Sequence, residues 1–217
     1  MSVQVKICGL TDAAQAVQCV EYGADAIGMV FFPPSGRFVE DLLAEEICLA
    51  VGEQAVRVGV FAGANAESIL RRVKFCGLDV VQLHGNESPQ LAGEVKSSGV
   101  RVVKVLKTAG RELLKEAESF AGCVDAFLVE AGRGELPGGN GVAWDWAGAK
   151  ILRGIVPFAL AGGLNADRIA DAIEASCCDA VDVSSGVEIS QGFKDMKKVK
   201  GFIMKAKAID VNCRRVF

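Results

Sequence analysis

Cys8 closes a short run, VQVKIC at 3–8, in which Gln4, Lys6 and Cys8 alternate with Val3, Val5 and Ile7. An extended chain sends alternate residues to opposite faces, so an amide, an amine and a thiol share one face. A thiol acts as a base or nucleophile only as its thiolate, and its ordinary pKa is about 8.5. Lys6, two residues earlier on the same face, favours the thiolate by charge. A buried structural thiol is the other reading of Cys8, and position alone leaves both open. Two further segments suit an anion. ALAGGLN at 159–165 sets Gly162 and Gly163 ahead of a helix start, and DVSSGVE at 182–188 carries Ser184, Ser185 and Gly186. Backbone N–H groups and hydroxyls in such turns take phosphate, although either turn alone could be an ordinary connection. Arg37 follows the turn FPPSG and carries the guanidinium fork that holds a carboxylate bidentately.

These residues need a scaffold that brings them together, and the hydrophobic pattern supplies one. Short β-branched runs at 3–8, 25–31, 56–61, 79–84, 101–106, 124–130, 156–161 and 179–184 read as strands. Stretches with apolar spacing of three and four lie between and after them, at 12–22, 40–51, 65–75, 88–98, 110–121, 144–153, 165–176 and 194–208. Thr11-Asp12, Asn65, Ser88-Pro89 and Asn165 are start signals, and Gly23, Gly77 and Gly99 are stops. Eight strand-helix units predict an α/β fold, a closed (βα)8 TIM barrel forming a single domain over 1–217, with a short tail at about 209–217. A doubly wound sheet is the alternative. YGADAIGMV at 22–30, FCGLDVVQL at 75–83 and ASCCDAVDV at 175–183 echo one another as a repeated unit.

Barrel closure sends one strand face to the helices and the other into the lumen. Gln4, Lys6 and Cys8 then point inward, as do Gln82 and His84, Leu128 and Glu130, and Asp182 and Ser184. Polar groups therefore collect at the C-terminal ends of strands, where barrel enzymes carry their sites. Lys104 invites a Schiff-base reading, but its place in mid-strand favours a structural role. The glycine cluster GELPGGNGVAWDW at 134–146 fits a loop closing over the site and equally a plain connection.

Composition narrows the class further. Of 217 residues, 51% are hydrophobic and only 6% aromatic, and the net charge is −3 with dispersed Lys and Arg. That argues against nucleic-acid and membrane-surface partners. No secretion signal or span-length apolar run is present, so a cytoplasmic location is expected. The eight cysteines lack C-x-x-C pairs and read as reduced thiols, most of them small core residues. With His84 as the single histidine and no zinc spacing, no metal is expected.

The ordered blocks VKICGLT, GADAIGMVFFPPSGR, VGVF, VQLHG, PGGNGVAWDW, LAGGLN and VDVSSGVE resemble the signature of the phosphoribosylanthranilate isomerase family, from residue 3 to about residue 208. The resemblance implies a (βα)8 barrel of tryptophan biosynthesis with no cofactor and a small phosphoribosyl substrate, as a monomer or homodimer. Its reaction is the Amadori rearrangement of N-(5-phosphoribosyl)anthranilate to 1-(2-carboxyphenylamino)-1-deoxyribulose 5-phosphate. By resemblance Cys8 is the general base, Arg37 and Asp182 contact the anthranilate end, and Gly162, Gly163, Ser184, Ser185 and Gly186 hold phosphate; a partner of Lys6 or Arg37 is the other reading of Asp182. Lys6 and His84 line the site. Glu130 stands where the family usually has the aspartate that acts as general acid, and Gln191 where a proline is common. A related ribosyl isomerase of histidine synthesis typically pairs two aspartates, whereas here the first strand ends in Cys8. A phosphate-ligand-binding barrel without catalysis is a further alternative.

Overall fold

The structure is a computed structural model that describes residues 2–107, 110–130 and 144–217. Strands β1 (Gln4–Cys8), β2 (Ala26–Val30), β3 (Val56–Phe61), β4 (Val80–Leu83), β5 (Arg101–Leu106), β6 (Ala126–Val129), β7 (Phe158–Leu160) and β8 (Ala180–Val183) pair in chain order, all parallel. β8 closes on β1, with Lys6 opposite Asp182, so the sheet is a barrel and the doubly wound alternative falls.

Outside it pack α1 (Ala13–Glu21), α2 (Asp41–Val51), α3 (Ala66–Cys76), α4 (Pro89–Ser97), α5 (Gly110–Ser119), α6 (Ile169–Ser176) and α7 (Met196–Lys207). Capping explains several boundaries. Asp12, Asn65 and Ser88 each accept the N–H three residues on, at 2.8, 2.9 and 3.2 Å, which satisfies an orphan donor of the first turn. Asn165 differs from expectation: it accepts from the N–H of Asp167 and Arg168 and holds a turn, and α6 starts only at Ile169.

The helix expected at 144–153 is a seven-residue 3-10 helix, Trp146–Leu152. Gly148 weakens α-helix there, and the Trp144 and Trp146 indoles are tied to the carbonyls of Ala161 and Gly162, at 3.0 and 3.4 Å. A hairpin of β9 (Glu188–Ser190) and β10 (Phe193–Lys194) follows β8. The proposed closing loop at 134–146 falls almost wholly outside the described residues.

The sequence echoes have a physical meaning. Asp25, Asp79, Asp125 and Asp179 each precede an even-numbered strand and accept a backbone N–H at the start of the strand before: Val5, Arg57, Val102 and Phe158, at 2.6, 2.9, 2.8 and 3.1 Å. Each aspartate also donates its own N–H to the carbonyl of that same residue. The carboxylates thus clamp strand pairs at the N-terminal end of the barrel, and Asp125 is far from any chemistry at the other end.

Two apolar layers result from strand alternation. Val3, Val5 and Ile7 pack under the helices. Inside the barrel, Ala26, Val58, Val80, Val103, Leu128 and Ala159 form a separate lumen cluster. Lys104 faces outward, where its Nζ binds the carbonyl of Gly85 at 2.6 Å and the Glu87 carboxylate at 3.0 Å, which leaves it no role in the lumen. Cys19, Cys48, Cys76 and Cys178 are buried free thiols, as core residues should be.

Candidate active site

At the C-terminal end of the barrel the strands open on a cavity lined by Cys8, Arg37, His84, Glu130, Asp182 and both anion turns. Every catalytic, substrate-end and phosphate residue that the resemblance implied lines it, as does His84, whereas Lys6 is fully buried one layer below. The polar lumen residues form one chain. The Lys6 Nζ donates to Asp182 Oδ1 at 2.9 Å and to Gln82 Oε1 at 3.0 Å. With its oxygen committed to Lys6, Gln82 turns its amide nitrogen to His84 Nδ1, at 3.2 Å. His84 then carries its proton on Nε2 and donates it to Glu130 Oε1 at 2.8 Å, a tautomer assigned from the hydrogen-bond pattern. Asp182 is thus the partner of Lys6 on the cavity wall, and His84 orients Glu130.

Burial lowers the affinity of Lys6 for its proton, but Asp182 and Cys8 outweigh it and hold the ammonium above its ordinary value. Burial pushes the Cys8 thiol up, and the opposing charge of Lys6 does not cancel that, so the thiol is protonated at neutral pH. The charge argument for a ready thiolate therefore loses to desolvation. Glu130 behaves in the opposite sense. Burial raises it, yet the His84 hydrogen bond, with Lys107 and Lys6 as nearby charges, brings it below the usual carboxylate range. Room for the thiol comes from Gly28 on the neighbouring strand: a Cβ there would sit 2.8 Å from Cys8 Sγ.

Arg37 lies over Gly9, whose φ of 73° and missing side chain let the Arg stem approach; a Cβ would meet Arg37 Cδ at 2.5 Å. Its fork is taken by Glu188, through Nε and Nη2 at 2.8 and 2.7 Å. Glu188 also accepts from the fully buried Lys194, at 2.7 Å, and Lys194 reaches Ser184 Oγ at 3.3 Å. Burial would raise the Glu188 carboxyl, but Arg37 and Lys194 pull it down to about 2. Sequence reasoning assigned neither Glu188 nor Lys194 a role. The available signal was a carboxylate inside a presumed phosphate turn, which would repel an anion unless cations neutralised it. Gln191 covers Gly36 beside this cluster, where a Cβ would meet its amide at 2.5 Å.

The two anion turns touch. Gly162 and Gly163 have φ of 85° and 69°, a left-handed pair that side chains disfavour. Their N–H groups make no hydrogen bond to the described residues. Ser185–Val187 forms a single 3-10 turn, and a Cβ on Gly186 would overlap the carbonyl oxygen of Leu164. Gly186→Ala should therefore push the turns apart and lower kcat/KM for a phosphorylated substrate by about 10-fold, with little change in far-ultraviolet circular dichroism. Steady-state kinetics of the folded variant measures this.

The sequence model of the family described as N-(5'phosphoribosyl)anthranilate (PRA) isomerase matches residues 5–205. An N-(5'-phosphoribosyl)anthranilate isomerase of Desulfatibacillum aliphaticivorans is 46% identical over 219 residues, covering 100% of both chains. The crystal structure of phosphoribosyl anthranilate isomerase from Thermotoga maritima superposes with a TM-score of 0.88 at 34% identity, over 95% of this chain and 100% of that one. Another phosphoribosyl anthranilate isomerase structure, in complex with reduced 1-(o-carboxyphenylamino)-1-deoxyribulose 5-phosphate, gives a TM-score of 0.85 at 33% identity, over 95% and 100% of the chains. With a closed barrel, Cys8 and Glu130 on one cavity and two apposed anion turns at its rim, this chain belongs to the N-(5'-phosphoribosyl)anthranilate isomerase family.

Proposed function

We propose that this cavity carries out the family's Amadori rearrangement with Cys8 as the base and Glu130 as the acid. The supporting observation is that a thiol and a His84-oriented carboxylate line one cavity whose rim holds the two anion turns. The substrate is a ribosylamine with a phosphate at one end and an aromatic carboxylate at the other. Gly162, Gly163, Ser184, Ser185 and Gly186 receive the phosphate through N–H and hydroxyl donors. Val30, Phe32, Val60 and Phe61 form an apolar wall suited to the anthranilate ring. Arg37, with its fork held by Glu188, presents the remaining Nη1 edge to the carboxylate.

Glu130 donates a proton to the ring oxygen as the C1–O bond breaks, and the nitrogen lone pair forms the iminium. Cys8 then removes the C2 proton, and the electrons of that C–H bond neutralise the iminium to give an enolamine. Proton transfer to C1 and loss of the enol proton give the ketose. The free protein holds the single proton on Cys8 and not on Glu130, so substrate binding has to redistribute it. An anthranilate carboxylate near Glu130 raises the carboxyl pKa, the direction required.

The test is a fluorescence assay of phosphoribosylanthranilate loss by purified protein, with inorganic phosphate as competitor. Substrate consumption with competitive inhibition by phosphate is expected. Consumption with no competition at any phosphate concentration removes the two-turn site. Absence of turnover in folded protein removes the isomerase assignment for this cavity and leaves a ligand-binding barrel.

A further inference from the structure

The last residues of the chain enter the barrel from below. Val216 and Phe217 are fully buried members of the lumen cluster, packed with Val58, Val80 and Val103. Gln4, at the start of β1, accepts their N–H groups through Oε1, at 2.8 Å from Val216 and 3.4 Å from Phe217. Arg101, at the start of β5, donates to the Val216 carbonyl at 3.1 Å. Arg214 is fixed to Asp179 at 2.9 Å and to the Val156 carbonyl at 2.7 Å. The tail is therefore stapled to the N-terminal ends of four strands, including one of the clamp aspartates. The Phe217 ring lies 5.7 Å from the Lys6 Nζ, within cation–π range. These residues lie beyond residues 5–205, which the family model matches.

We propose that Phe217 is a positioning residue of this enzyme: it closes the barrel floor under Lys6 and holds that ammonium on Asp182 and Gln82, at the root of the chain that orients His84 and Glu130. A lysine in a barrel lumen is flexible and seeks water. Two routes are open to Lys6, up toward the cavity or down through the floor. Asp182 and Gln82 meet it above. The buried ring blocks the way below. If water entered from beneath, Lys6 could turn toward it. Gln82 would lose the donor that fixes its amide orientation, and His84 would lose its assigned tautomer.

The kinetic arm of the test rests on the isomerase reading; the labelling arm does not. A chain lacking Val216 and Phe217, and the variants Phe217→Ala and Phe217→Leu, are compared with the parent. Reductive methylation with formaldehyde, resolved by peptide mass spectrometry, reports access to Lys6. Lys194, also fully buried but at the opposite end of the barrel, is the internal control. The expected result is methylation of Lys6 in the truncated chain and in Phe217→Ala, with Lys194 protected throughout and Lys6 protected in Phe217→Leu. In the same proteins kcat per folded molecule should fall about 10-fold to 100-fold with KM within about twofold, and Phe217→Leu should recover most of it. Protection of Lys6 in the truncated chain overturns the proposal. So does joint exposure of Lys6 and Lys194, which would make the tail a general stabiliser, and so does exposed Lys6 with unchanged kcat. If Cys8→Ala and Glu130→Gln both proved active, the catalytic assignments would fall while the labelling result stood.

Discussion

Cys8→Ala is expected to lower kcat by roughly 10²–10⁴ and to leave KM almost unchanged, because in the proposed mechanism the thiol acts on the C2 proton and contributes little to ground-state binding. Alanine fills the same narrow space beside Gly28, so the fold should survive. Near-normal turnover in this variant would return Cys8 to the group of structural thiols. The parent should show a matching pH signature. In the proposed mechanism the productive complex carries one proton between Cys8 and Glu130. The free protein carries that same count from the depressed Glu130 value up to the raised Cys8 value. As pH falls through the Glu130 value both groups become protonated and the thiolate is lost. As pH rises through the Cys8 value both are deprotonated and the acid is lost. The kcat/KM profile should therefore be flat across an interval wider than the ordinary values of about 4.3 and 8.5. A profile narrower than that interval would contradict the assignment.

Glu130→Gln should lose roughly 10²-fold or more in kcat, since the amide keeps the size of the side chain but has no transferable proton. Its oxygen can still accept from His84 Nε2, now at 2.8 Å from Glu130 Oε1, so the loss would report proton transfer and not a collapsed site. Glu130→Asp is expected to stay within about 10-fold of the parent: it restores the shorter acid of the family pattern but withdraws from His84 by the length of one methylene. Comparable activity of Glu130→Gln and the parent, measured on folded protein, would remove Glu130 from the mechanism.

Much of this was determined by the sequence alone, for a definite reason. Strand parity is a local property with a period of two, so the inward placement of Gln4, Lys6, Cys8, Gln82, His84 and Glu130 follows once barrel closure is assumed. The caps at Asp12, Asn65 and Ser88 are equally local, because each side chain bonds an N–H three residues away. Glycine turns are legible for the same reason, and the ordered motif blocks carried the family. Closure itself was a count of strand-helix units, and the pairing of β8 with β1 bears it out.

Only the tertiary structure decided which charges meet. Glu188 stands 151 residues from Arg37; no local pattern encodes such a partner. The protonation of Cys8 and Glu130 turned on the balance between burial and specific neighbours, which sequence spacing does not contain. The indole bonds of Trp144 and Trp146 to the carbonyls of Ala161 and Gly162, at the end of β7, are likewise tertiary. The tail is the plainest case. IDVNCRRVF has no periodicity to read, and it became part of the barrel because the lumen above Gln4 offered an apolar space of the right size for Val216 and Phe217.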